Sequence, residues 1–477
     1  LSGKKLMKKI DKMLRQFADL CLFDKFLLLA PLVVWFSYQP NIYLDHSSAM
    51  NIELSLVLIY VAVLAVFALP LIFSNYQELL RCNLVRIVGL FILWSFMSII
   101  WSSNLSRAIL TTGVSAALFT VLLGMLSTDI KKLTPILKNT YIASAAFMSV
   151  LAIIQVAYGA WFDWGLCRGC LAAGFGFVRP SVFAIEPQFF GSLLLAPILI
   201  LAAKFLRKTV TKTDVILSCI MITAMYLTLS RGAIFSLVIA IACLMFLYRN
   251  SLIKKSRLAF LPLVVLAGFG AGMVWHGIFT EVNPRVSDGF YDSVSKSVNQ
   301  LTLGKVNLPK LAASSASQAA SSPTAAVKTT NHPKAHFSGY VETSTSERTS
   351  MLNLALQTWR KDWVTMLFGT GTGSSGRAIQ QHTRKLATEA EITQNQYVEV
   401  LLENGLIGIV LCLMAVSIYL YDTRRDKLAW AILIAFALQW NFFSGLPNAL
   451  HIYLVLAVIF AAKSQSDVLK RPVKTSA

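Results

Sequence analysis

The chain is a succession of apolar runs, each close to the ~20 residues that a helix needs to cross the hydrocarbon core of a bilayer. The run 54–73, "LSLVLIYVAVLAVFALPLIF", is one of them. Inside hydrocarbon every backbone N–H and C=O must be paired within its own segment, so such runs are helices. Twelve are expected, at about 20–38, 53–73, 86–101, 106–126, 138–159, 182–203, 214–229, 232–248, 259–279, 395–420, 427–443 and 447–463. The run 20–38 lacks a small-residue cleavage site, so it reads as a first span and not as a signal peptide. With 56% hydrophobic and only 14% charged residues, a soluble multi-domain chain is excluded. The fold class is an all-α integral membrane protein.

The net charge of +20 does not require nucleic acid, because cytoplasmic loops of membrane proteins are basic. With the N-terminus inside, every inner segment carries Lys or Arg, from "KKLMKKIDKMLR" to the tail "KSQSDVLKRPVK". The short outer segments hold four Arg and no Lys. Both termini are therefore expected in the cytoplasm. The expected order is a basic N-terminus (1–19), nine spans (20–279), a large extracytoplasmic loop (280–394), three spans (395–463) and a cytoplasmic tail (464–477). Within the loop, 311–336 is low-complexity Ala/Ser/Thr/Pro sequence. Residues 346–376 read as an amphipathic helix followed by a turn with Gly369, Gly371, Gly373 and Gly376. No internal repeat supports an inverted-repeat transporter.

Five of the seven cysteines (Cys21, Cys82, Cys219, Cys243 and Cys412) have apolar flanks and read as packing residues. Cys167 and Cys170, in "CRGC", are either two small loop residues or a local disulfide. Zinc is not expected, since no second ligand pair follows.

Three constellations carry chemistry. The first is a set of outer arginines: Arg107, Arg168, Arg179, Arg231, Arg285, Arg348, Arg360 and Arg377. The guanidinium fork matches phosphate oxygens and stays charged, although single arginines also snorkel to headgroups or close helix ends. The second is "RPSVFAIEPQFFGSLLLAP" (179–197), where Glu186 stands before Pro187 at a helix start. That carboxylate is either a favourable helix-end charge or a base facing an outer cavity. The third is "ITQNQYVEVLLENGLIG" (392–408). Asn395, Glu399 and Glu403 recur at i, i+4, i+8 and share one helical stripe. Polar groups on a membrane helix face either a cavity or a polar seam. Gly405 and Gly408 are expected to let a neighbouring helix approach.

These features together resemble the O-antigen ligase/polymerase superfamily of bacterial membrane glycosyltransferases. The resemblance rests on the twelve spans, the "SRGA" hairpin, the large loop before span ten and "GTGTGSSG" within it, and on Asn395 followed by Gly405 and Gly408. It covers about 180–410. One departure matters: the family's histidine position is Gln394, which cannot abstract a proton. "RP-S-x-F-x-x-EP-x-x-FG" is similar to Wzy-type polysaccharide polymerases, which are preferred over ligases.

The resemblance implies a GT-C-like, metal-independent transfer at the outer leaflet of the inner membrane, with no cofactor. The donor is a polyprenyl-diphosphate-linked glycan and the acceptor a hydroxyl of an incoming repeat unit. Arg179, Arg231 and Arg285 are expected on the diphosphate, and Glu186, Glu403 and Arg348 at the chemistry. Gln394, Asn395 and Glu399 are expected on sugar hydroxyls, and His382 is either a stand-in for the absent histidine or, as a lone loop histidine more often is, a surface residue. A chain-length regulator and a flippase of the same pathway are the expected partners. The alternatives are an O-antigen ligase acting on lipid A core and, from another class, a lipid-linked glycan flippase.

Overall fold

The computed structural model describes residues 20–37, 41–43, 53–158, 171–172, 177–184, 186–207, 209–249, 260–279, 340–384, 393–444, 446 and 449–468. Helices dominate these residues. They run α1 Leu22–Leu27, α2 Ala30–Val33, α3 Leu56–Leu79, α4 Asn83–Met97 (continued by a 3-10 turn, Ser98–Trp101), α5 Leu105–Ser127 and α6 Ile130–Tyr158. Then follow α7 Pro187–Leu206, α8 Lys212–Leu227, α9 Arg231–Tyr248, α10 Phe260–Phe279, α11 Tyr340–Trp359, α12 Trp363–Phe368 and α13 Ser375–Thr383. The last three are α14 Gln396–Asp422, α15 Lys427–Gln439 and α16 Leu450–Val468. Two short antiparallel pairings accompany them, β1 Asn41–Tyr43 with β2 Glu53–Ser55, and β3 Leu171–Ala172 with β4 Phe177–Val178.

Among the described residues seven helices are long and apolar enough to cross a membrane: α3, α4 with its 3-10 turn, α5, most of α6, α7, α9 and α14. The apolar stretches of α10, α15 and α16 are shorter. The expected first span is not one helix. Pro31 has no N–H, so a straight helix would leave the Leu27 carbonyl unpaired. The chain instead closes a tight turn, with the Leu29 amide on the Phe26 carbonyl at 2.9 Å, and restarts at Ala30.

α7 is the axis of the bundle. All its residues except Lys204 are buried, and α6, α8, α9 and α15 pack around it. Lipid gives helices no hydrophobic reason to associate, so small residues and hydrogen bonds must hold them. Gly191 lets α7 meet α9: a Cβ there would stand 2.7 Å from the Ala233 Cβ. Ser192 and His451 join α7 to α16 through a 2.9 Å hydrogen bond, and the Tyr141 hydroxyl donates to the Leu193 carbonyl at 2.8 Å. Such buried bonds each contribute about 0.6 kcal/mol in a membrane bundle.

The segment 340–384 covers one end of the bundle, called here the loop end. α11 starts before Ser346 and buries Leu352, Leu354, Ala355 and Thr358. α12 follows with Asp362 as its N-cap, accepting the Thr365 amide at 2.7 Å. α13 lies beyond the glycine turn, in sequence whose only large apolar residue is Ile379.

Candidate functional site

The glycine turn docks into a break in α14. Gly405 has φ 65° and ψ −166°, so the helix stops and restarts there. A straight helix would pair the carbonyls of 402, 403 and 404 with the amides of 406–408. Here the Leu402 carbonyl accepts the Thr370 amide at 2.8 Å, that of Glu403 the Gly371 amide at 2.9 Å, and that of Asn404 the Trp94 indole N–H at 3.0 Å. Thr372 is gripped from α4, its amide donating to Ser98 Oγ at 3.0 Å. Glycine is required on both sides: a Cβ on Gly369 would stand 2.2 Å from the Glu403 carbonyl oxygen, and one on Gly405 2.2 Å from that of Leu367. Gly408 does not serve helix approach, since a Cβ there would meet Asn404 of its own helix at 2.3 Å.

The stripe of Asn395, Glu399 and Glu403 is divided among three tasks. Asn395 is the N-cap of α14, its side chain accepting the Val398 amide at 3.1 Å and donating to the Asn441 carbonyl at 3.4 Å. Glu399 is buried and pairs with Arg107 at 3.3 Å. Glu403 is buried too, and its two carboxylate oxygens accept the amides of Gly373 at 2.8 Å and Ser375 at 3.2 Å. Glu399 and Glu403 are thus placed in a seam and not on an open cavity, because the 340–384 segment packs over that face of α14. Glu403 holds the turn and the start of α13. Glu403→Gln is therefore expected to lower stability by about 1–3 kcal/mol, since one buried amide donor would face an NH2 instead of an oxygen. A thermal melt in detergent checks this; an unchanged melting temperature with lost turnover would return Glu403 to the chemistry.

A narrow recess of about 10 Å³, room for about one water, lies at the N-terminal end of α14. It is lined by Arg348, Thr349, Leu352, Thr393, Gln394, Asn395 and Asn441. Arg348 Nε donates to Gln394 Oε1 at 2.8 Å, and its Nη2 donates to Gln188 Oε1 at 3.2 Å. Gln188 is itself fixed, its amide donating to the Phe442 carbonyl at 2.8 Å. Two amide oxygens from different elements therefore set the plane of the guanidinium. Gln394 is exposed and has φ 51°, a left-handed conformation costing about 1–2 kcal/mol.

Gln188 places this clamp on the first turn of α7. Two residues earlier, Glu186 is its N-cap by backbone, but the side chain makes no capping bond and is exposed. Arg179 Nε donates to the Thr228 carbonyl at 2.8 Å. Thr228 ends α8 three residues before Arg231, the first residue of α9. Gly232 lets the start of α9 approach Phe442, whose carbonyl fixes Gln188: a Cβ on Gly232 would meet the Phe442 ring at 2.6 Å.

Of the expected site residues, Arg348, Gln394 and Asn395 line the recess, whereas Arg179, Glu186 and Arg231 are not in its lining. Glu399 and Glu403 lie deeper, and His382 is on α13, outside the cleft lining. Arg285, Arg168, Cys167 and Cys170 lie outside the described residues. Sequence reasoning missed Gln188 and Asn441. A glutamine in the otherwise apolar "PQFFGSLLL" was the available signal; nothing local marks Asn441.

No curated protein matches the chain. Residues 216–413 match the family model described as O-antigen ligase, a stretch that runs from α8 into α14 and contains Arg231, Arg348, Gln394 and the glycine turn. Across residues 216–413, this multi-pass membrane protein is thus similar to the O-antigen ligase family.

Proposed function

We propose that the protein polymerises polyprenyl-diphosphate-linked oligosaccharide repeat units at the outer leaflet of the bacterial inner membrane, with the loop end outside and twelve spans below it. The observation that carries this is Arg348, held in one plane by Gln394 and Gln188 at the first turn of α7, with the exposed Glu186 two positions before Gln188 in the chain.

In this reading an acceptor hydroxyl attacks the anomeric carbon of the donor's reducing-end sugar. A carbon–oxygen bond forms to the acceptor, and the bond from that carbon to the diphosphate oxygen breaks. The acceptor's proton passes to the Glu186 carboxylate. The polyprenyl diphosphate leaves, and Arg348, Arg179 and Arg231 balance the charge growing on its bridging oxygen. Gln394 is an orienting residue here, holding Arg348 and presenting its amide to sugar hydroxyls. A ligase would share the donor half of this chemistry and differ in the acceptor. A flippase would make no new glycosidic bond.

The test is reconstitution in detergent with a lipid-linked repeat unit as the only substrate and EDTA present. A ladder of products supports polymerisation. Transfer only after lipid A core is added supports the ligase, and no covalent product with either acceptor overturns the transferase reading. In the same assay Glu186→Gln is expected to lower turnover about 10²–10⁴-fold, the usual contribution of a general base. Its exposed side chain leaves protein yield unchanged, and wild-type turnover would remove it from that role.

A further inference from the structure

A second recess opens at the loop end, with a volume of about 840 Å³. That lies within the ~300–1,000 Å³ of ligand sites. One wall is the turn between α4 and α5, with Trp101 and Ser103; the other is built by α12 and α13. Neither Arg348 nor any other residue of the first cleft lines it.

The lining is of two kinds. Trp101 and Phe368 supply aromatic surface, both braced on Trp94 at ring distances of 5.8 and 5.9 Å. Asp362, Gln381 and His382 supply polar groups and are exposed. The Thr365 amide holds the Asp362 carboxyl below its ordinary range, so it is ionised at neutral pH. In the opposite wall Ser103 Oγ is inaccessible and has no hydrogen-bond partner among the described residues.

This mixture selects among ligand classes. An acyl chain would strip water from the carboxylate, amide and imidazole without replacing their hydrogen bonds. A phosphate would meet Asp362, which lies 3.9 Å from the one lysine of the lining, Lys361. A saccharide answers both surfaces: its C–H faces pack on the rings, and its hydroxyls donate to carboxylate and amide oxygens and accept from the imidazole N–H and the glutamine amide N–H of the lining.

We propose that this recess is a second glycan-binding site, holding sugars of the growing donor chain away from the reacting end while Arg348 engages the diphosphate. The proposal rests on the glycan reading above. The two sites share a mechanical link: Glu403 fixes Gly373 and Ser375, and Ser375 begins the helix that carries Gln381 and His382.

The probe is the repeat-unit oligosaccharide released from its lipid by mild acid, titrated calorimetrically into the full-length protein in detergent. The double variant Gln381→Ala/His382→Ala changes only exposed side chains and is expected to keep the wild-type melting temperature. Its affinity for the oligosaccharide is expected to fall about tenfold, the loss of one or two hydrogen bonds. Its product ladder should shorten while the first transfer keeps its rate. Equal affinity and an equal ladder would overturn the proposal. So would native mass spectrometry showing a phospholipid in the wild type that the oligosaccharide does not displace and the variant no longer retains. The Trp101→Ala variant repeats the test from the opposite wall, should the double variant fail to fold. If the wild type makes no ladder but binds the oligosaccharide, and the variant does not, the polymerase reading fails while the recess stands.

Discussion

Arg348→Lys is expected to lower turnover about 10²–10³-fold, the effect of removing one preorganised donor at a developing oxyanion. Charge is conserved in this substitution, so the loss would measure geometry. The guanidinium donates through Nε to Gln394 and through Nη2 to Gln188 at 2.8 and 3.2 Å. A lysine ammonium is a point charge on a flexible stem and cannot satisfy two acceptors in one fixed plane. Arg348 is only half-buried on α11, so the variant should fold and its melting temperature should stay near wild type. Steady-state kinetics with the lipid-linked repeat unit check the prediction. A fall in turnover number at nearly constant KM places Arg348 in the transition state. A rise in KM alone would make it a ground-state anchor, and wild-type kinetics would dismiss it.

Gly405→Ala is expected to abolish the folded loop end and turnover with it. The backbone at φ 65° and ψ −166° is one that an L side chain avoids. The added Cβ would fall 2.2 Å from the Leu367 carbonyl and 2.6 Å from the Gly369 amide, neither of which can move independently. Backbone strain costs about 1–3 kcal/mol. Three carbonyl pairings of the break would be lost along with it, at about 1 kcal/mol each. The expected readouts are a lower melting temperature and faster proteolysis between α11 and α14. Gly113→Ala is the control, because its Cβ would meet nothing within 4 Å and the helix gains propensity. A Gly405→Ala protein with wild-type melting and resistance to protease would mean that the break in α14 is not what holds the 340–384 segment.

The span pattern was legible because hydrocarbon leaves a chain so few choices. Runs such as 105–127 and 231–248 are helices in the structure within a residue or two of their sequence limits. The exceptions have local causes. Pro31 splits the first run, and α13 hides in polar sequence because a nine-residue helix needs only one or two buried contacts, here Ala378 and Ile379. The candidate site was legible by residue type more than by role. Glu186 was identifiable as a charge at a helix start beside apolar sequence, and Arg348 as one of the arginines of the large loop. The partners that aim Arg348 were not, since Gln188 is 160 positions distant and Gln394 is 46.

The stripe in "ITQNQYVEVLLENGLIG" marks the divide most clearly. Periodicity alone dictated that Asn395, Glu399 and Glu403 share one side of a membrane helix and that water or a partner must meet them there. Which partner was decided by tertiary packing. The glycine turn brings its amides to Glu403, Arg107 comes to Glu399 from α5, and only the N-terminal end of α14 is left facing the cleft. From the sequence alone came the fold class, the apolar runs that become spans, and the polar residues that hydrocarbon makes too costly to leave unpaired. The three-dimensional packing assigned each of those residues to an anchor, a seam or an open site. That choice depends on segments hundreds of residues apart meeting at van der Waals distance, which no local periodicity encodes.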